Sequence, residues 1–391
     1  MTITFIYHDF PGLGGIETVT LLLANYLCNQ GFDISIISSY ASPEYDYNKI
    51  SPKIKLIKTP VIKKLNDSVN INFIENFITE NMIDIVINQG MASKINKSKL
   101  PKETCLIQTL HGLPFWEIRD IPYSVTVEDL KKASVFKKIS VFKKIILNHI
   151  YPQRRYRRIY DYYQYFLDNS DIYITLCKGL ENIILEKFPA YQSKLLSIEN
   201  PINELHNTNL SNKKDEVIFV GRLNYSDKRV DRVLKIWSQI EQKGTNWKLR
   251  IIGDGPYKEN LITLAKKLNL QQCHFEGYHT NPEQFQKNAK IILLTSNFEG
   301  IPMSLIEAMQ LGTVPVVYNC SPGIEFIIKN NINGILIDCF DEADFVKQLY
   351  KIMNDTRLLQ SLSENGIETM HKFNIEKIGS KWIKLFHKIK A

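Results

Sequence analysis

No apolar run in this 391-residue chain approaches the roughly 18 residues that a membrane-spanning helix requires, so no segment reads as crossing a bilayer. The opening residues, Met1-Thr-Ile-Thr-Phe-Ile-Tyr-His8, lack a basic leader and a small-residue cleavage site; they read as a β-strand, not an export signal. Cysteine is sparse and scattered. Cys28, Cys105, Cys177, Cys273, Cys320 and Cys339 form no Cys-x-x-Cys pair and meet no His cluster, which argues against a disulfide framework and against a zinc site. Reduced thiols in a cytoplasmic protein are expected.

What is present describes an ordinary globular chain, 44% apolar and 23% charged, long enough for two or three domains. Its net charge of +8 is unevenly distributed. Residues 131–160 hold Lys131, Lys132, Lys137, Lys138, Lys143, Lys144, Arg154, Arg155, Arg157 and Arg158 without one Asp or Glu. That segment alone carries +10, and the remainder of the chain sums to −2. Within it Ser134-Val-Phe-Lys-Lys-Ile139 recurs unchanged as Ser140-Val-Phe-Lys-Lys-Ile145, and Phe136, Ile139, Phe142 and Ile146 fall on one face of a helical projection.

Short β-rich runs alternate with stretches of helical period, the pattern of βαβ units and a parallel sheet covered on both faces. Strands are expected at 3–7, 34–38, 83–88, 105–110 and 172–176, then at 217–220, 247–253, 273–276, 291–295, 314–318 and 334–337. The fold class is therefore α/β, with two doubly wound, Rossmann-like domains facing across a cleft. The first occupies residues 1–200 and carries the basic insertion 131–160. A polar, aperiodic linker follows at 201–215, then a second domain at 216–374, and a terminal helix at 375–391 that is expected to pack back on the first.

Three constellations could carry chemistry. The turn Gly12-Leu-Gly14-Gly15-Ile-Glu17 follows the first strand and precedes a helix, where glycine permits close backbone approach and a helix N-terminus favours an anion. It is not the G-x-G-x-x-G fingerprint, and the second strand ends Ile36-Ile-Ser-Ser-Tyr40 without an acidic residue for a ribose, so a nicotinamide dehydrogenase is disfavoured. Next, Gly221-Arg222 with Lys228 follows the strand that opens the second half, at the end where α/β sheets bind ligands; an Arg fork and a Lys point charge suit phosphate. Finally, Glu299-Gly-Ile-Pro-Met-Ser-Leu-Ile-Glu307 places two carboxylates eight positions apart around a helix start near Pro302. Free amides at Ile301, Met303 and Ser304 would face the cleft and Glu307 would lie a turn deeper.

Gly14-Gly15-Ile-Glu17, His111-Gly112, Gly221-Arg222 with Lys228, Gly253-Asp-Gly-Pro256 and Glu299-x7-Glu307, in this order along the chain, resemble the retaining nucleotide-sugar glycosyltransferases of the GT-B fold, glycosyltransferase family 4. The resemblance spans nearly the whole chain and is strongest from residue 217 to 338. It implies that Arg222 and Lys228 hold the donor diphosphate and neutralise the leaving group. It further implies that Gly14, Gly15 and Gly253 line the donor site with the amides of Ile301, Met303 and Ser304. Glu307 would bind ribose hydroxyls, Glu299 the donor sugar, and His111 the transferred sugar. No metal and no cofactor are implied, and the chain contains no Asp-x-Asp. Many members carry a glycine where Pro302 stands, and proline has no amide proton to offer a ligand.

The resemblance implies transfer, with retention, of a hexose or N-acetylhexosamine from a UDP-sugar, with GDP-mannose left open, onto a lipid-linked or cell-surface glycan. A nucleotide-sugar epimerase, a phosphorylase-like enzyme and an inactive membrane scaffold remain as alternatives. For the basic segment, Lys interleaved with Phe and Ile suits an anionic membrane surface docked through residues 131–158. A solvated face is the plainer reading, and nucleic acid is disfavoured because no RNA- or DNA-binding motif accompanies the charge.

Overall fold

The computed structural model describes residues 1–12, 14–43, 45–119, 152–203 and 210–391. Two sheets, both wholly parallel, organise the chain. The first contains β1 (Thr2–Asp9), β2 (Asp33–Tyr40), β3 (Lys55–Lys58), β4 (Ile85–Asn88), β5 (Cys105–Thr109), β6 (Ile172–Thr175) and β7 (Leu195–Ser197), in the order β3-β2-β1-β4-β5-β6-β7. The second contains β8 (Lys214–Val220), β9 (Lys248–Ile252), β10 (Cys273–Gly277), β11 (Ala289–Leu294), β12 (Val314–Tyr318) and β13 (Ile335–Ile337), in the order β10-β9-β8-β11-β12-β13. In each the chain winds outward one way and then reverses, leaving a crevice between β1 and β4 and another between β8 and β11.

The central strands are near-continuous apolar runs because helices cover both faces. Ile3, Phe5, Ile34, Ile85 and Ile107 are buried on one face of the first sheet, and Ile6, Ile37, Val86 and Leu106 on the other. β3 and β7 were not expected from the sequence: both are short edge strands, and β3, Lys-Leu-Ile-Lys, leaves three of its four residues exposed. β8 begins at Lys214, inside the stretch that reads as an aperiodic linker. Its polar start is held from below, where buried Lys213 Nζ donates toward the carbonyls of Gln286 and Ala289 and the Thr313 hydroxyl.

The basic segment lies outside the described residues except for 152–160, so the expected amphipathic face at 134–150 and most of the expected membrane-docking surface lie outside them too. Residues 152–160 open the helix Pro152–Asp168, which buries Tyr163, Phe166 and Leu167 and leaves Arg154, Arg157 and Arg158 exposed.

The helix Ile375–Lys390 packs on the first sheet's core, although it follows the second sheet in sequence. Ile378, Trp382 and Phe386 are buried beside Leu23, Leu27 and Ile34, and Phe386 meets Phe32 edge-on at 5.9 Å. Lys390 reaches Asp84 at 2.7 Å and Lys381 reaches Glu199 at 2.5 Å. The chain thus crosses between the halves twice, and the crossings pair: Ile202 N–H donates to Phe373 O, and Ile375 N–H donates to Ile202 O. Among the described residues, no helix is long and apolar enough to cross a membrane.

Candidate functional site

The site forms where the carboxyl ends of the two sheets face each other. Gly221 follows β8, and the loop from Arg222 to Arg229 crosses toward the loop that follows β11. Three bonds join these loops: Asn297 N–H donates to Asp227 O at 2.7 Å, Asn297 Nδ2 to Ser226 O at 2.7 Å, and the Thr295 hydroxyl to Arg229 O at 2.9 Å. Gly253 is obligatory beside them, because it has φ +145° and a Cβ there would fall 1.9 Å from Gly221 O.

Within this brace Lys228 Nζ donates to Glu299 Oε1 at 2.7 Å, and the Ser296 hydroxyl donates to the same oxygen at 2.6 Å. Side-chain exposures of 16% and 10% make this a mostly buried ion pair. Burial opposes the Lys228 charge, but the Glu299 carboxylate, by attraction and by hydrogen bond, and Asp227 outweigh it and raise the pKa. The ammonium is therefore permanent at neutral pH. Arg222, by contrast, is exposed; burial raises the pKa of Tyr7 and of Glu17 in the first half, and the nearby Arg222 guanidinium opposes part of each rise. Arg229 does not join Lys228: it pairs with Asp231 through two 2.9 Å bonds and caps the following helix.

The helix Met303–Gln310 begins one residue later than a first-turn Pro302 requires, with Pro302 itself in the extended N-cap position. Pro302 O accepts from Leu305 and Ile306, which leaves the Met303 and Ser304 amides without a backbone partner at the helix start. Glu307 lies one turn in. Burial pushes its carboxyl pKa up, a hydrogen bond from Gln286 opposes the rise and Glu283 adds to it.

The first half closes the site through backbone. Gly15 abuts Met303, where a Cβ would meet Met303 Cγ at 3.4 Å, and Gly14 is the N-cap of the helix Gly15–Asn29. A Cβ on Gly300 would fall 2.2 Å from His111 O, so the Glu299-Gly300-Ile301 turn and the His111-Gly112 turn touch main chain to main chain. Trp116 packs on Phe298 with ring centroids 5.6 Å apart, and Arg119 Nη1 donates to Cys320 O at 3.3 Å.

His111 sits at the end of β5, with its ring turned into the first domain. Nδ1 lies 3.0 Å from Asn200 Oδ1, and Nε2 lies 2.6 Å from Gln89 Oε1 and 3.1 Å from the Thr109 hydroxyl. Burial pulls its pKa down to about 4, with the Asn200 bond opposing, so the imidazole is neutral at pH 7. Both ring nitrogens already have protein partners, and what His111 presents toward the second half is its carbonyl. Gln89, Asn200, Ser296 and Asn297 complete the site without having been expected from the sequence. Gln89 and Asn200 carry no motif, although each follows a strand end or precedes a proline. Among the described residues no three His, Cys, Asp or Glu side chains converge as a metal cluster.

Residues 13–204 match the family described as Glycosyltransferase Family 4, and residues 202–369 match Glycosyl transferases group 1. An uncharacterized glycosyltransferase of Haemophilus influenzae is 26% identical over 393 residues, covering 97% of this chain and 98% of that protein. An α-1,4-N-acetyl-D-galactosaminyltransferase of Campylobacter jejuni, named for a diNAcBac-PP-undecaprenol-linked substrate, is 27% identical over 210 residues, 54% of this chain and 58% of its own length. In three dimensions, S. aureus TarM in complex with fondaparinux, α-GlcNAc-glycerol and UDP superposes with a TM-score of 0.72 at 15% identity, over 98% of this chain and 99% of that one. With both halves matched in order and the two-sheet architecture shared end to end, the chain belongs to the group 1, family 4 glycosyltransferases, whose retaining members share the GT-B fold.

Proposed function

We propose that the protein moves a hexose or N-acetylhexosamine from a UDP-sugar, with retention, onto a lipid-linked or cell-surface glycan precursor. The observation that carries this reading is the braced Lys228–Glu299 pair beside exposed Arg222 and the free amides of Met303 and Ser304. Two cations and a helix start suit a diphosphate, and the adjacent carboxylate suits sugar hydroxyls. The Campylobacter relative's named substrate and the UDP bound to TarM support the choice of acceptor class and base.

In the proposed reaction the bond between the anomeric carbon and the diphosphate oxygen breaks, and its electron pair stays on that oxygen. Arg222 and Lys228 stabilise the charge as it develops, where preorganised cations act most strongly. The acceptor oxygen bonds the anomeric carbon on the face the phosphate leaves, and its proton passes to the departing phosphate oxygen. Glu307, low on the helix Met303–Gln310, accepts from the ribose, and Gly14, Gly15, Gly253 and the Ile301 amide line the donor. His111 borders the transferred sugar. Residues 131–158 dock the first domain to anionic lipid, bringing a lipid-borne acceptor to the cleft.

Thermal shift with UDP, GDP, ADP and their sugars tests the donor, since a ligand that binds the native state raises its apparent stability. Stabilisation by GDP alone would replace UDP in this reading. Product stereochemistry tests the mechanism, and an inverted linkage would end it. Co-sedimentation that is equal on neutral and anionic vesicles would remove the lipid assignment.

A further inference from the structure

Asn200 lies on the first crossing between the domains, two residues before the Ile202 backbone that pairs with the second crossing. Its side chain touches both halves: Oδ1 lies 3.0 Å from His111 Nδ1, and Nδ2 donates to Met303 Sδ at 3.7 Å. Met303 is the first residue of the helix whose start faces the proposed donor. One amide therefore joins the histidine at the end of β5 to the helix that opens the donor side.

The proton count decides what this arrangement does. A neutral imidazole has one N–H and one lone pair. The thioether sulfur only accepts, so it holds the Asn200 NH₂ toward Met303 and leaves Oδ1 for His111. Nδ1 must then carry the proton, and Nε2 must accept from the Gln89 amide turned to present its NH₂, because an acceptor oxygen 2.6 Å from the Nε2 lone pair would repel it; the Thr109 hydroxyl, which donates to Gln89 Oε1 at 2.8 Å in the unturned arrangement, then turns to Asn88 O. Without the sulfur, nothing on the second half selects between the two ends of the Asn200 amide.

We propose that Asn200 is a positioning residue that fixes the Nδ1–H tautomer of His111 when the two domains meet, reading their contact through the sulfur of Met303. The proposal rests on the assignment of His111 to the transferred sugar's side of the site. Domain contact then does more than bring residues near: it decides which ring nitrogen has a lone pair. The cavity behind the ring, lined by Val19, Leu23, Ile174 and Trp382 among others, has room for about one water, about 10 Å³, and so is no ligand site. Apart from His111, the titratable group lining it is Glu199, which Lys381 neutralises at 2.5 Å.

Nitrogen-15 histidine spectra of the full chain saturated with UDP, with the His111 signal assigned from His111→Gln, test this directly. A single Nδ1–H tautomer is expected in the parent protein. Met303→Leu keeps the volume and removes the acceptor, and Asn200→Ala removes the amide; both should bring in the second tautomer. Asn200→Ala should lower kcat roughly tenfold, the scale of a misoriented site group, with the UDP dissociation constant held within about twofold. Asn200→Asp keeps the acceptor; it should restore the tautomer and move the acid limb of the rate profile upward, because a carboxylate favours the imidazolium. An Nε2–H ring in the parent protein, or an unchanged tautomer in both Met303→Leu and Asn200→Ala, overturns the proposal. Full activity in His111→Gln overturns the histidine's assignment instead, and the spectra still report on the clamp.

Discussion

The crevice between β1 and β4 and the crevice between β8 and β11 occupy equivalent places in two sheets of equivalent winding, yet their loops are tied in different directions. After β8 the loop bonds across the crevice, through Asn297 to Ser226 and Asp227 and through Lys228 to Glu299. After β1 the loop bonds sideways, away from the crevice: the Ser38 hydroxyl donates to Phe10 O at 2.7 Å, the Ser39 hydroxyl to His8 O at 3.0 Å, and Phe10 N–H to Tyr40 O at 2.8 Å. The second crevice is thereby preorganised, with the Lys228–Glu299 pair fixed before a ligand arrives. Across the first, Gly90 of the loop after β4 packs against the other side, where a Cβ on it would lie 3.3 Å from Ile16 Cδ1. Braced loops cannot be redrawn cheaply, which suits the side proposed above to hold the donor.

The hardest way to break the comparison is Lys228→Ala, which removes a cation from the braced side and strands Glu299. Sugar transfer should fall by about 10²–10³, the scale for losing one preorganised electrostatic group, as followed by initial rates of nucleoside diphosphate release. An unchanged rate would demote the brace to scaffolding. On the first sheet's side, His111 should appear in stability and not only in rate. Its folded pKa of about 4 is below the ordinary 6.5, so the unfolded chain takes up a proton first as pH falls. Stability present above pH 6.5 should decline between there and pH 4, by at most about 3 kcal/mol. Urea titrations across that window should show a flatter pH profile for His111→Gln than for the parent protein.

Gly300→Ala probes the seam between the crevices. The added methyl would lie 2.2 Å from His111 O, so the turns must part, and transfer should drop roughly 10- to 100-fold with circular dichroism unchanged. The smallest effect is expected at Lys381→Ala. Lys381 is about half exposed at 47% and Glu199 17% exposed, so the pair is worth about 1 kcal/mol and denaturant midpoints should move little.

The sequence disclosed the central strands because strands covered on both faces must be apolar throughout, as in Ile85–Asn88 and Val314–Tyr318. Edge strands β3 and β7 escape that test, since a half-exposed strand of three or four residues has no run to detect. Within the site, Arg222, Lys228, Glu299 and Glu307 were visible as types of residue at strand ends and helix starts. That Lys228 binds Glu299 was not visible, because 71 positions separate them and only the β8–β11 pairing makes them neighbours. Gln89 and Asn200 were hidden for another reason: a neutral amide gains its meaning from the ring it touches, and no spacing along the chain announces that contact.

The helix Ile375–Lys390 has a bearing on how the protein is made. Trp382 and Phe386 are part of the first core, so the first domain contains the second as an insertion within its own chain. During synthesis the inserted domain can complete its sheet while the first still lacks one wall. Ile3, Leu23 and Leu27 then stay partly uncovered until residues 375–390 have emerged from the ribosome. The domain begun first is therefore the one finished last.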